Sequence, residues 1–120
     1  MPTEFWLRLD ELVRACPVVI DRPAGSTHPR YAGIVYPLDY GYLDGTTSGD
    51  GHGIDVWVGG LPGKPVTAII TTLDLDKRDA EIKILIGCTS AEAQTLLRFH
   101  NDGQQSAILI ERPRMTNPEP

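Results

Sequence analysis

The chain has 120 residues, a formal net charge of −5, and 41% hydrophobic and 22% charged residues. Those figures suit one domain with a modest core, and the acidic balance leaves no basic footprint for a nucleic acid. No apolar run reaches transmembrane length, and Glu4, Arg8, Asp10 and Glu11 break up any signal-peptide core, so a cytoplasmic protein with no membrane partner is expected.

In chain order, Thr3 is a candidate N-cap for a helix reaching about Ala15. Phe5, Trp6, Leu9, Leu12 and Val13 recur on one face of it, and Pro17 ends it. Residues 18–20 read as a strand. Residues 21–33 form a long loop carrying Arg22, His28 and Arg30. Short strands are expected at 34–36, 41–43 and 54–58, and a clear β run at 66–72. A charged turn, 73–80, leads into a strand at 81–87, whose alternation sets Glu81 and Lys83 opposite Ile82 and Ile84. Thr89-Ser90-Ala91-Glu92 is a capping box opening a helix to about His100. Asn101-Asp102-Gly103 stops it, and 106–111 is the last strand. Many short strands with few helices predict a mainly β (α+β) domain over 1–112, a small β-barrel with peripheral helices, followed by a disordered tail over 113–120. Cys16 and Cys88 have no metal or disulfide spacing and read as small hydrophobes.

The chemistry concentrates in Tyr36 to Val58. Tyr36 and Tyr40 precede a loop of Gly, Ser, Thr and Asp that closes into Ile54-Asp55-Val56-Trp57-Val58. Carboxylates at both ends of such a loop, Asp50 and Asp55, suit a hard cation that takes several oxygen ligands. Asp favours turns, which accounts for a lone Asp50; Asp55 is less easily dismissed, because Asp is depleted in strands. Asp76, Glu81 and Lys83 form a second charged group that reads equally well as a solvated turn. His52 stands between two glycines and offers an imidazole as base or ligand, whereas His100 reads as ordinary. Arg22, Arg30 and Lys83 are candidates for phosphate oxygens. This inventory suits metal-assisted hydrolysis of a phosphoanhydride.

The same segments resemble the soluble inorganic pyrophosphatases of family I. Tyr36-Pro37, Tyr40-Gly41-Tyr42 and Asp50-Gly51-His52-Gly53-Ile54-Asp55 fall in register with the family's Y-P…Y-G-Y…D-G-D-P-x-D signature. Asp76-x₄-Glu81-x-Lys83 matches its Asp-x₄-Asp-x-Lys, and Val18-Val19-Ile20-Asp21-x-Pro23 followed by Arg30-Tyr31 matches V-V-I-E-x-P followed by Lys-Tyr. The resemblance implies an OB-like five-stranded barrel, a homo-oligomer and hydrolysis of pyrophosphate. It also implies Mg²⁺ on Asp50, Asp55, Asp76 and Glu81, phosphate on Arg30, Tyr40 and Lys83, and support from Asp21 and Tyr36. Three departures stand out. The signature's middle Asp is His52 and its Pro is Gly53, a change that points to Mn²⁺, Co²⁺ or Zn²⁺ as alternatives. A hairpin bearing a phosphate-binding Arg is deleted between Tyr31 and Tyr36, with Arg22 or His28 as substitutes. The late Tyr-Lys pair is His100-Asn101. Another phosphoanhydride, such as a nucleotide, or a non-catalytic binding role are the alternatives.

Overall fold

The computed structural model describes residues 3–114. Helix α1 (Thr3–Ala15) is followed by strands β1 (Val18–Arg22), β2 (Asp39–Leu43), β3 (Ile54–Val58), β4 (Val66–Asp74) and β5 (Asp79–Ile86), then helix α2 (Ser90–His100) and strand β6 (Gln105–Glu111). Thr3 is the first helical residue of α1, not its cap. The capping box of α2 forms as the sequence predicts: the Thr89 hydroxyl accepts from Glu92 N–H, and Glu92 Oε1 accepts from Thr89 N–H at 2.8 Å.

The six strands make one mixed sheet in the order β1-β2-β3-β5-β4-β6. All neighbours are antiparallel except β3 and β5, which run parallel. The expectation of a closed five-stranded barrel is therefore corrected to an open six-stranded sheet with β1 and β6 at its edges. The reason lies in how the faces are covered. Consecutive residues are buried along the centre, Val56-Trp57 on β3 and Lys83 to Ile86 on β5, so both faces of the central strands are packed. On one face Trp6 of α1 packs with Leu43, Val56, Ile69, Ile84 and Ile86, helped by Leu9, Leu12 and Val13. On the other, Ala93 and Leu96 of α2 pack with Trp57, Ile70, Leu85 and Tyr36. A helix on each face does the work that closure does in a barrel.

Residues 34–36 form no strand. Tyr36 N–H donates to Ser26 C=O and Tyr36 C=O accepts from Gly25 N–H, so the segment folds back on its own loop with only an isolated bridge between Thr27 and Val35. At Gly41 the backbones of β1 and β2 leave no room for a side chain: a Cβ there would lie 1.8 Å from the Val19 carbonyl oxygen, so any larger residue would force the two strands apart. Arg112 closes the molecule from the far end, gripping Asp10 of α1 through two hydrogen bonds of 2.8 and 2.9 Å. Of the expected tail, Pro113 and Arg114 are exposed; positions 115–120 lie outside the described residues. No described helix is long and apolar enough to cross a membrane.

Candidate functional site

Strand parity and register assemble the centre of the site. Asp55 lies two residues from Trp57 and Lys83 two from Leu85, so each shares its neighbour's face, the one packed by α2. The parallel ladder sets Asp55 directly beside Lys83, and the antiparallel one sets Tyr40 beside Trp57. The Lys83 ammonium consequently donates to Asp55 Oδ2 at 2.6 Å, Glu81 Oε1 at 2.7 Å and Tyr40 Oη at 3.1 Å. Those three bonds use every donor an ammonium has. Burial alone would lower the Lys83 pKa; Tyr40, Asp55 and Glu81 together outweigh it and hold the amine charged, well above the ordinary lysine range. Burial drives the Tyr40 phenol the other way in consequence: it is raised far above the usual tyrosine value, with Asp55 adding to the effect and Lys83 opposing it.

Two open clefts meet at this point, sharing Arg22 and Tyr40 as a common wall. The smaller, about 540 Å³, is acidic. Asp21, Asp50, Asp55 and His52 line it with Gly41, Tyr42 and Gly53. Asp50 is fixed by its own loop, accepting from the Ser48 hydroxyl at 2.5 Å and from His52 N–H at 2.9 Å, which together lower its pKa. Gly53 lets the loop pass close to Tyr42, since a Cβ there would come within 2.8 Å of the Tyr42 ring.

The larger cleft, about 720 Å³, has Tyr36, Tyr40, Trp57 and Phe99 among its walls. It carries four cations, Lys83, Arg22, Lys77 and Arg98, against three carboxylates, Asp74, Asp76 and Asp102, so it is cationic only by a small excess. Arg22 donates to Tyr36 Oη, and its charge is reinforced by that bond. Beneath the cleft, Trp57 Nε1–H donates to His100 Nε2 at 3.0 Å, which leaves the proton on Nδ1 to bond Gln105 Oε1 at 2.9 Å. Burial depresses the His100 pKa to about 4, against a smaller opposing effect of Gln105, so at neutral pH it is an uncharged floor residue.

The residues singled out from sequence thus divide. Asp50, Asp55, His52, Asp21, Arg22 and Tyr40 share the acidic cleft; Lys83 and Tyr36 face the other; Asp76 lines the other cleft too, on the β4–β5 turn, away from Asp50. Glu81 is engaged by Lys83. Arg30 is exposed and lines neither cleft, its backbone N–H bonding His28 Nδ1. Among the described residues no three His, Cys, Asp or Glu side chains gather as a metal-holding group. The acidic cleft offers carboxylate oxygens from Asp21, Asp50 and Asp55, the last already paired with Lys83. That donor chemistry suits Mg²⁺, which is commonly held by one or two carboxylates plus substrate oxygens and water. Phe99 and the Trp57–His100 pair were not legible as site residues, because they are brought together by long-range packing that no local spacing signals.

No protein-family profile matches the chain, and no curated protein matches it either. Among solved structures, a crystal structure of an inorganic phosphatase from Anaplasma phagocytophilum superposes with a TM-score of 0.55 at 16% identity, over 77% of this chain and 80% of that one. The chain therefore shares its fold with an inorganic phosphatase.

Proposed function

We propose that this chain hydrolyses a phosphoanhydride, inorganic pyrophosphate in the first instance, with the help of a divalent cation. The observation that carries the reading is the Lys83 ammonium, held at the meeting point of an acidic and a cationic cleft by Asp55, Glu81 and Tyr40. One cation against two carboxylates leaves that group one negative charge in excess, so an anionic substrate needs further positive charge to settle there. Arg22 supplies part of it from the shared wall. Mg²⁺ on Asp50 and Asp55 would supply the rest and, when bound, lower the pKa of an attacking water.

The chain's own residues have distinct parts. A phosphate oxygen reaching Lys83 takes the place of Tyr40 Oη, the longest and only uncharged of the three acceptors. Tyr40, kept protonated by its burial, then turns from acceptor to donor. Arg22 stays aimed by Tyr36. His52, at the open rim of the acidic cleft, is placed to take a proton from solvent-side water. Asp21 adds negative charge to the acidic cleft. The fold shared with an inorganic phosphatase is compatible with this reading.

The test is phosphate release from pyrophosphate by the native chain and by Asp55→Asn. The variant should lose about 100-fold or more, the scale of removing one well-placed electrostatic group. An unchanged rate removes Asp55 from the chemistry.

A further inference from the structure

We propose that the cationic cleft extends the same site into a subsite for a flat aromatic arm, so that the chain takes organic diphosphates of the nucleoside diphosphate class. The inference rests on the phosphate-binding reading above and adds the part of the substrate that reading leaves unspecified.

Size is the first argument. Phosphate oxygens need only the corner formed by Lys83, Arg22 and Tyr40, whereas the cleft continues to about 720 Å³, within the roughly 300–1,000 Å³ of clefts that enclose drug-sized ligands. Chemistry is the second. Past the cationic corner the wall changes to rings: Tyr36 packs 5.7 Å from Phe99, and His28 lies near-parallel to Tyr36 at 11°. Phe99 and His28 are only half-buried, so each leaves ring surface on the cleft. A flat arm is bound by such rings through stacking, and the affinity tolerates differences between bases. Gln104, on the turn after α2, lines the same cleft and is exposed, and its carboxamide is a donor–acceptor pair suited to the edge of a base. Cations, rings and an amide on the walls of one cleft match the three parts of such a ligand: its phosphates, the flat ring and the ring's polar edge. Reaction on that substrate is the same step: water adds to the terminal phosphorus, the bridging P–O bond breaks, and nucleoside monophosphate and phosphate leave with release of a proton.

The test is titration calorimetry with Mg²⁺ and two ligands that cannot be hydrolysed, the methylene-bridged analogue of ADP and methylenediphosphonate. The native chain should bind the ADP analogue roughly tenfold more tightly, the scale of one stacked base. Phe99→Ala should erase most of that preference while leaving methylenediphosphonate affinity unchanged. His28→Ala lies on an exposed loop and should lower the preference even if Phe99→Ala fails to fold. Equal affinity for the two ligands overturns the proposal, as does a preference that survives in both variants. Pyrophosphate hydrolysis measured alongside separates the two readings. Turnover with no preference for the ADP analogue sinks only the subsite; a ring-dependent preference without turnover sinks only the hydrolase.

Discussion

The two clefts that meet at Tyr40 and Arg22 draw differently on the chain. The acidic one has Asp50 and His52 on one loop between β2 and β3, where Asp50 is held by Ser48 and His52 within two residues of itself, and takes Asp21 from β1 and Asp55 from β3. The cationic one takes Arg22, Tyr40, Trp57 and Lys83 from β1, β2, β3 and β5 and adds the loop carrying His28 and Tyr36, the end of α2, the turn after it and the β4–β5 turn. Lys83 is the partition, its stem in the cationic cleft and its charge on Asp55 of the acidic one. The acidic cleft owes Asp50 and His52 to one short loop, whereas the larger one collects its cations, carboxylates and rings from segments far apart in the chain. A site for a metal-bound polyanion needs both.

The sharpest way to break this division is to remove the partition. Lys83→Met leaves Asp55 and Glu81, about 26% and 14% exposed, facing each other without a counter-ion, and breaking a buried pair this way costs about 3–5 kcal/mol. Urea denaturation without metal should register that loss, and added Mg²⁺ should stabilise the variant more than the native chain. A loss below about 1 kcal/mol, the range of an exposed pair, would mean the ammonium is not a partition at all.

The uncharged floor of the cationic cleft sets the next effect. His100 titrates at about 4 in the fold and near 6.5 when unfolded. Above pH 6.5 both states are neutral and the residue contributes no pH dependence. As pH falls from 6.5 toward 4 only the unfolded chain takes the proton, so stability drops, by roughly 3 kcal/mol in all. His100→Gln should flatten the acid limb of stability by about one proton while costing some stability at pH 7. An unchanged slope would place His100 outside the packed floor.

The smallest effect belongs to Asp76. It lines the cationic cleft, not the acidic one, so Asp76→Asn should leave the Mg²⁺ needed for half-maximal phosphate release within about twofold, as for an ordinary surface substitution. A tenfold rise would return Asp76 to the metal.

Much of the fold was legible because its signals are local. The apolar face of α1 and the Thr89–Glu92 box are written within one or two turns of chain; the box appears as read, and the face does so through Trp6, Leu9, Leu12 and Val13, while Phe5 is exposed. The sheet's closure was not legible, since whether β1 and β6 meet depends on which faces the helices cover. The stretch 34–36 misled for a similar reason: its β-branched and aromatic residues look like a strand, but Tyr36 is buried in a ring cluster and bonded to residues 25 and 26. Within the site, Asp50 and His52 were readable from a glycine-rich loop. The pairing of Asp55 with Lys83 is a crossover contact between parallel strands 28 residues apart, and sequence alone offered them only as separate candidates.

The measurement that bears most directly on the division between the clefts is phosphate release from pyrophosphate by metal-stripped protein, with Mg²⁺, Mn²⁺, Co²⁺ or Zn²⁺ added back singly. The account predicts no release without metal, release restored by Mg²⁺, and none restored in Asp55→Asn. Release that is independent of every added metal, or none with any of them, would contradict it.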